Sequence, residues 1–158
     1  MRRLLPLFLL SQSTWFAGPA LAAEHGTEAE ARALVGKVVA QMKADGVDKT
    51  LAALNTRAPG LEQGDLFVFV YDYAGNMLAM GPNRKMVGKN LIDMKDVDGM
   101  PLAKGMIDMV KAKSKGWYGP YKFSNPKSST YEYKKAWCEQ AVGETLACSG
   151  VYLGDKKP

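Results

Sequence analysis

A chain of 158 residues, 47% of them hydrophobic, can bury one core, and its length calls for no second domain. Its formal charge of +5 is mild and alternates in sign along the sequence, which argues against a nucleic-acid footprint. A single histidine, no phosphate-cradling loop and no dinucleotide fingerprint exclude histidine triads, HExxH zinc chemistry and nucleotide folds, so no enzymatic activity is expected.

Met1-Arg2-Arg3, the apolar run Leu4 to Leu10 and the small-residue stretch Ala20-Leu21-Ala22 have the three regions of a secretory signal peptide. Residues 1–22 are therefore read as the signal, with cleavage after Ala22 or Ala23, and residues 23–158 as one domain with its core over 27–153. An uncleaved membrane anchor is the competing reading. Pro6, the polar stretch Ser11 to Thr14 and Gly18-Pro19 interrupt it too often for a good spanning helix. Without Arg2 and Arg3 the 21 basic side chains fall to 19 against 16 acidic ones, a formal charge of +3. The expected location is periplasmic or secreted, and His25 is expected in a disordered tail.

Thr27 with Glu30 three residues on is a capping-box signature, and Leu34, Val35, Val38, Val39 and Met42 recur at helical spacing behind it. Asp45-Gly46 ends that helix, and Asp48 is placed to cap a short second one through Leu54. Leu66 to Tyr71 is a run of aliphatic and aromatic residues apolar on both faces. It predicts a central strand with a helix on one side and a pocket or loops on the other. Asp72 to Asn76 supplies turn chemistry, and Met77 to Met80 resumes a strand. Asp96-Val97-Asp98-Gly99 with Pro101 opens a helix across Leu102 to Val110, and three strands follow over 116–123, 130–138 and 145–153. That order predicts an antiparallel α+β domain.

Cys138 and Cys148 lie symmetrically about Gly143, so a hairpin turning there sets them opposite each other. In an oxidising compartment a structural disulfide is expected. The spacing does not match the Cys-x-x-Cys of a redox-active pair. Seven methionines fall between Met77 and Met109, a count that raises a soft-metal site. Core packing is the better reading, because three-residue spacing in a strand sends Met77 and Met80 to opposite faces, while Met106 and Met109 fit a helical stripe. Phe69 with Tyr71, and Trp117 with Tyr121 and Phe123, are assigned to shared strand faces, with the parity after Pro120 left open. An aromatic wall with one or two cations suits a small organic anion, and a plain aromatic core accounts for the same residues equally well.

The ordered set Gly64-Asp65-Leu66-Phe67-Val68-Phe69-Val70-Tyr71-Asp72, Gly75, Leu78-Ala79, Asn83, Val87-Gly88-Lys89-Asn90-Leu91 and Asp96-x-Asp98-Gly99 resembles the single Cache domain type 2 family. Gly116-Trp117, Tyr121-Lys122, Asn125-Pro126 and Gly150-Val151-Tyr152 extend the resemblance, which covers roughly 27–153. It implies a PAS-like antiparallel sheet of about five strands, a long N-terminal helix and a helix inserted after the first hairpin. It also implies extracytoplasmic sensing of small molecules, often organic acids, as in chemoreceptors and sensor kinases. Three departures are visible: Met80 stands where the family's histidine is expected, Phe123 replaces a tryptophan, and Trp137 replaces a tyrosine in a pattern begun by Lys134.

The resulting expectation is a periplasmic binding or sensing domain for a small molecule, a carboxylate favoured, acting without a transmembrane output of its own through a membrane-bound receptor or kinase. Its ligand residues are Phe69, Tyr71, Met80, Trp117, Tyr121, Phe123 and Trp137 as walls, with Arg84 or Lys134 as anion partner. No cofactor and no metal are assigned. The alternatives are an interaction module whose cavity is filled by its own side chains and, third, copper binding through the methionines.

Overall fold

Helix α1 (Glu28–Asp45) begins where the capping box predicts: Glu30 N donates to Thr27 Oγ1 and Thr27 N to Glu30 Oε2, which satisfies two N–H groups at the helix start. The computed structural model describes residues 25–156, so the signal-peptide reading of residues 1–22 lies outside the described residues. Among the described residues no helix is long and apolar enough to cross a membrane.

Helix α2 (Val47–Asn55) follows without a side-chain cap; Gly46 takes the cap position and Asp48 falls in the first turn. The short strand β1 (Glu62–Gln63), which turn residues had concealed in the sequence, leads into β2 (Leu66–Asp72) and β3 (Met77–Met80). A 3-10 segment (Gly81–Met86), helix α3 (Ala103–Lys113) and strands β4 (Lys115–Ser124), β5 (Tyr131–Gln140) and β6 (Thr145–Gly154) complete the chain. All pairings are antiparallel, in the order β1-β2-β6-β5-β4, with β3 also pairing β2. The fold is therefore the α+β, PAS-like arrangement with a long N-terminal helix and a helix inserted between the first hairpin and the last three strands.

Strand β2 divides two cores. Leu66, Val68 and Val70 pack with Val35, Val38 and Met42 of α1, while Phe67, Phe69 and Tyr71 face α3 and the intervening loops. The alternation explains why the run reads as apolar on both faces. Cys138 pairs with Cys148 across β5 and β6 with a Cα–Cα distance of 4.1 Å, and the two are disulfide-bonded and fully buried on the α3 side. The connecting turn places Gly143 at φ 63°, a left-handed conformation that favours glycine.

Two expectations of side-chain parity fail, for one physical reason. A register shift between Val70 and Tyr71 pairs Tyr71 with Met77 and Phe69 with Met80, so both methionines lie on the α3 side instead of opposite faces. A second shift between Tyr118 and Tyr121, at Gly119-Pro120, puts Tyr118, Tyr121 and Phe123 in the α3-side core and leaves Trp117 on the α1 side. An extra residue in one strand reverses the alternation beyond it.

Candidate ligand-binding site

Lys134 is the most deeply buried cation of the site, with 1% of its surface exposed. Strand register brings it there: it pairs with Tyr121 on β4 and Tyr152 on β6, and its stem runs over Gly150, where a Cβ would lie 2.0 Å from Lys134 Cε. The absence of a side chain at residue 150 thus makes the channel in which the lysine lies.

At its end, Lys134 Nζ lies 4.1 Å from the centre of the Phe67 ring, 4.4 Å from Tyr152, 5.4 Å from Phe123 and 5.7 Å from Phe69. Ring faces attract a cation at these separations. Its hydrogen bond goes to Tyr152 Oη at 3.2 Å, and Tyr152 Oη in turn donates to Ser124 O at 2.8 Å. No carboxylate pairs with Lys134 among the described residues. Burial lowers its pKa to about 7, with the charge of Asp65 acting in the opposite direction. Burial likewise raises the hydroxyl pKa values of Tyr71, Tyr121 and Tyr152, so all three remain neutral donors at physiological pH.

A small chamber beside Lys134 is bordered by Phe69, Tyr71, Met80, Leu102, Met106, Tyr121 and Phe123. Its volume is about 20 Å³, room for roughly one water molecule. Six of the nine residues read from the sequence as ligand contacts meet here: Phe69, Tyr71, Met80, Tyr121, Phe123 and Lys134. Phe67, Tyr152, Leu102 and Met106 were missed. Phe67 stands two residues before Phe69 on the same strand face, and that periodicity was available in the sequence.

The structure does not bring the other three to the chamber. Trp117 and Trp137 face each other on the α1 side of the sheet, ring centres 5.5 Å apart, and Arg32 of α1 lies 5.4 and 4.4 Å from their centres. They clamp the helix to the sheet. Arg84 is exposed on the 3-10 segment and borders neither the chamber nor the cleft described next.

Outside the chamber lies an open cleft of about 390 Å³. Met80, Leu102 and Phe123 border both spaces, and Phe67 borders the cleft while also stacking on Lys134. One layer of side chains therefore separates the lysine from the cleft. Asp96 ties one rim together: its Oδ1 accepts from the N–H groups of Asp98 and Met100, and its Oδ2 from Lys122 N at 2.8 Å. Burial opposes the carboxylate charge, but these N–H groups outweigh it and hold the Asp96 pKa below the usual range. Asp96 thus shapes the turn that precedes α3.

His25 is not in a free tail. Its Nδ1 lies 2.9 Å from Asp65 Oδ2, its Nε2 lies 3.6 Å from Glu132 Oε2, and Gly26 N donates to Asp65 Oδ1 at 2.9 Å. Two buried carboxylates anchor this segment, a tertiary interaction that local composition does not reveal.

A family model, Single Cache domain 2, matches the chain over residues 20–155. The chain belongs to the Single Cache domain 2 family. Its fold is similar to that of the methyl-accepting chemotaxis protein from Vibrio parahaemolyticus RIMD 2210633, at 20% identity and a TM-score of 0.66, covering 80% of this chain and 88% of that one. A periplasmic sensor domain of a chemotaxis protein matches at 22% identity and TM-score 0.60, covering 79% and 89%. A Cache chemosensory domain described for carboxylic acid recognition matches at 20% identity and TM-score 0.62, covering 79% and 87%. No curated protein matches this Cache domain.

Proposed function

We propose that this Cache domain binds a small organic carboxylate outside the cytoplasm, in the periplasm or as a secreted protein, and reports its occupancy to a membrane-bound receptor or kinase. The observation that carries the reading is Lys134: a buried amine with no carboxylate partner among the described residues, held by aromatic rings at the end of a chamber. An amine in such a place gains most from an anion that arrives with its own charge, because the pair then forms where water screening is weak. Membership of a sensor-domain family and similarity to chemosensory domains support it. Phe69, Tyr71, Met80, Tyr121 and Phe123 supply the walls.

Thermal unfolding of the oxidised protein against a panel of carboxylates, amino acids and amines tests this. A saturable rise in Tm with carboxylates, lost in a folded Lys134→Met variant, is expected; ligand at about a hundred times its Kd adds roughly 2.7 kcal/mol. No rise across the panel rejects it.

The chamber's volume of about 20 Å³ favours a second reading, a self-filled interaction module in which Met80 and Phe123 occupy the ligand's place. It is recognised by stability independent of any small molecule. Met80, Met86 and Met94 all border the outer cleft, so a rise with Cu(I) alone would assign the site to a soft metal instead.

A further inference from the structure

We infer that the ligand is a monocarboxylate with an apolar body of several carbons, its carboxylate at Lys134 and its body in the outer cleft, and that Met80 and Phe123 form the gate between the two. The inference rests on the carboxylate reading above and specifies the class of acid.

Chamber and cleft differ about twentyfold in volume and share a wall. The chamber alone does not hold a carboxylate group with its carbon chain, whereas about 390 Å³ falls in the range of small-molecule sites, roughly 300–1,000 Å³. Of the shared wall, Met80 is unbranched and turns about three side-chain bonds without moving its strand. Phe123 stands on β4, the edge strand of the sheet, where fewer neighbours confine it. Displacing these two side chains joins the spaces and exposes Lys134 Nζ and Tyr152 Oη to the cleft.

The remaining cleft walls define what lies behind the carboxylate. Pro82, Met86, Met94, Leu102 and Pro126 are apolar, and the two methionines adapt to different shapes. The two large hydrophobic side chains that stand exposed among the described residues, Val97 at 66% and Tyr131 at 63%, both border this cleft. Both stand where an apolar ligand body lying in the cleft would cover them.

The charges argue against a second carboxylate on the ligand. Asp96 on the rim is an anion already saturated by three backbone donors. Lys122 is engaged by Asp98 at 3.4 Å, and Lys95 is exposed to solvent, where an ion pair contributes little. A dicarboxylate thus gains one buried partner and must leave its other charge beside Asp96.

The test is calorimetric titration of the oxidised protein with straight-chain monocarboxylic acids of two to eight carbons, phenylacetate, and the dicarboxylate matched to each length. Affinity is expected to rise about three- to fourfold for each added methylene until the cleft is full, and each dicarboxylate to bind more weakly than its monocarboxylate. A Met94→Glu variant should lose the longer acids while keeping the shortest, and Lys134→Met should lose all of them. Affinity that is flat or falls with chain length, with Lys134 still required, overturns the cleft assignment and leaves the carboxylate reading standing. Failure of every acid to bind overturns both.

Discussion

Gly150 and Lys134 occupy complementary space on neighbouring strands: a Cβ at residue 150 would fall 2.0 Å from Lys134 Cε. Gly150→Ala is therefore expected to destabilise the protein by about 1–3 kcal/mol, the cost of overpacking a filled core. The penalty should largely vanish in a Lys134→Ala background, where the obstructing stem is gone. A double-mutant cycle by chemical denaturation reads the coupling directly. Additive effects would mean that Gly150 serves something other than the lysine.

The lysine also predicts a pH dependence. Its folded pKa, about 7, lies below its unfolded value near 10.5, so between those limits the unfolded chain holds a proton that the folded chain has released. More protons on the unfolded side mean that stability rises with pH through this window. Below about pH 7 both states are protonated and the slope from this group disappears. Urea denaturation at pH 6, 7.5 and 9 should show the rise in the native protein and a flatter profile in Lys134→Met.

Carboxylate binding reverses that shift, because the anion favours the ammonium. Binding above pH 7 is expected to take up a proton, and affinity to decline as pH rises further. Calorimetry in buffers of different ionisation enthalpy measures the proton directly; uptake of none would place the anion away from Lys134.

Removing the Cys138–Cys148 bond should lower stability by roughly 3 kcal/mol, from the entropy returned to the loop between cysteines ten residues apart. Denaturation with and without reductant checks this, with Cys138→Ala/Cys148→Ala as the control for other effects of the reductant.

At the start of α1, Thr27→Ala removes the oxygen that accepts from Glu30 N and should cost about 1 kcal/mol. Glu30→Gln preserves the reach back to Thr27 and should cost less, since Gln also completes a capping box. Midpoints of urea denaturation distinguish the two.

The elements were legible where one local rule governs. Leu66 to Tyr71 declares a strand covered on both faces, and Thr27 with Glu30 declares a helix start. Cys138 and Cys148 are opposed because both are counted from the same turn at Gly143. Legibility failed where one residue breaks a count. The shift at Gly119-Pro120 moved Trp117 to the far face, and the shift beside Val70 brought Met77 to the near one. Trp117 and Trp137 have the composition of a binding wall, yet they stack on Arg32, a residue more than eighty positions away that no strand pattern announces. His25 failed similarly, since its anchors Asp65 and Glu132 are distant in sequence.

Strand β2 is a partition one residue thick, with odd-numbered side chains toward Lys134 and even-numbered ones toward α1. Close packing on both faces removes slack: Phe67 or Phe69 cannot recede from an incoming molecule by moving the backbone without pushing Val68 and Val70 into the seat of α1. The strand is thus a wall shared by two packed compartments, with little free space on either face to absorb a displacement. Helix α1, residues 28–45, rests on one of those faces, so about 27 Å of helix axis is seated on the same strand that lines the lysine's surroundings.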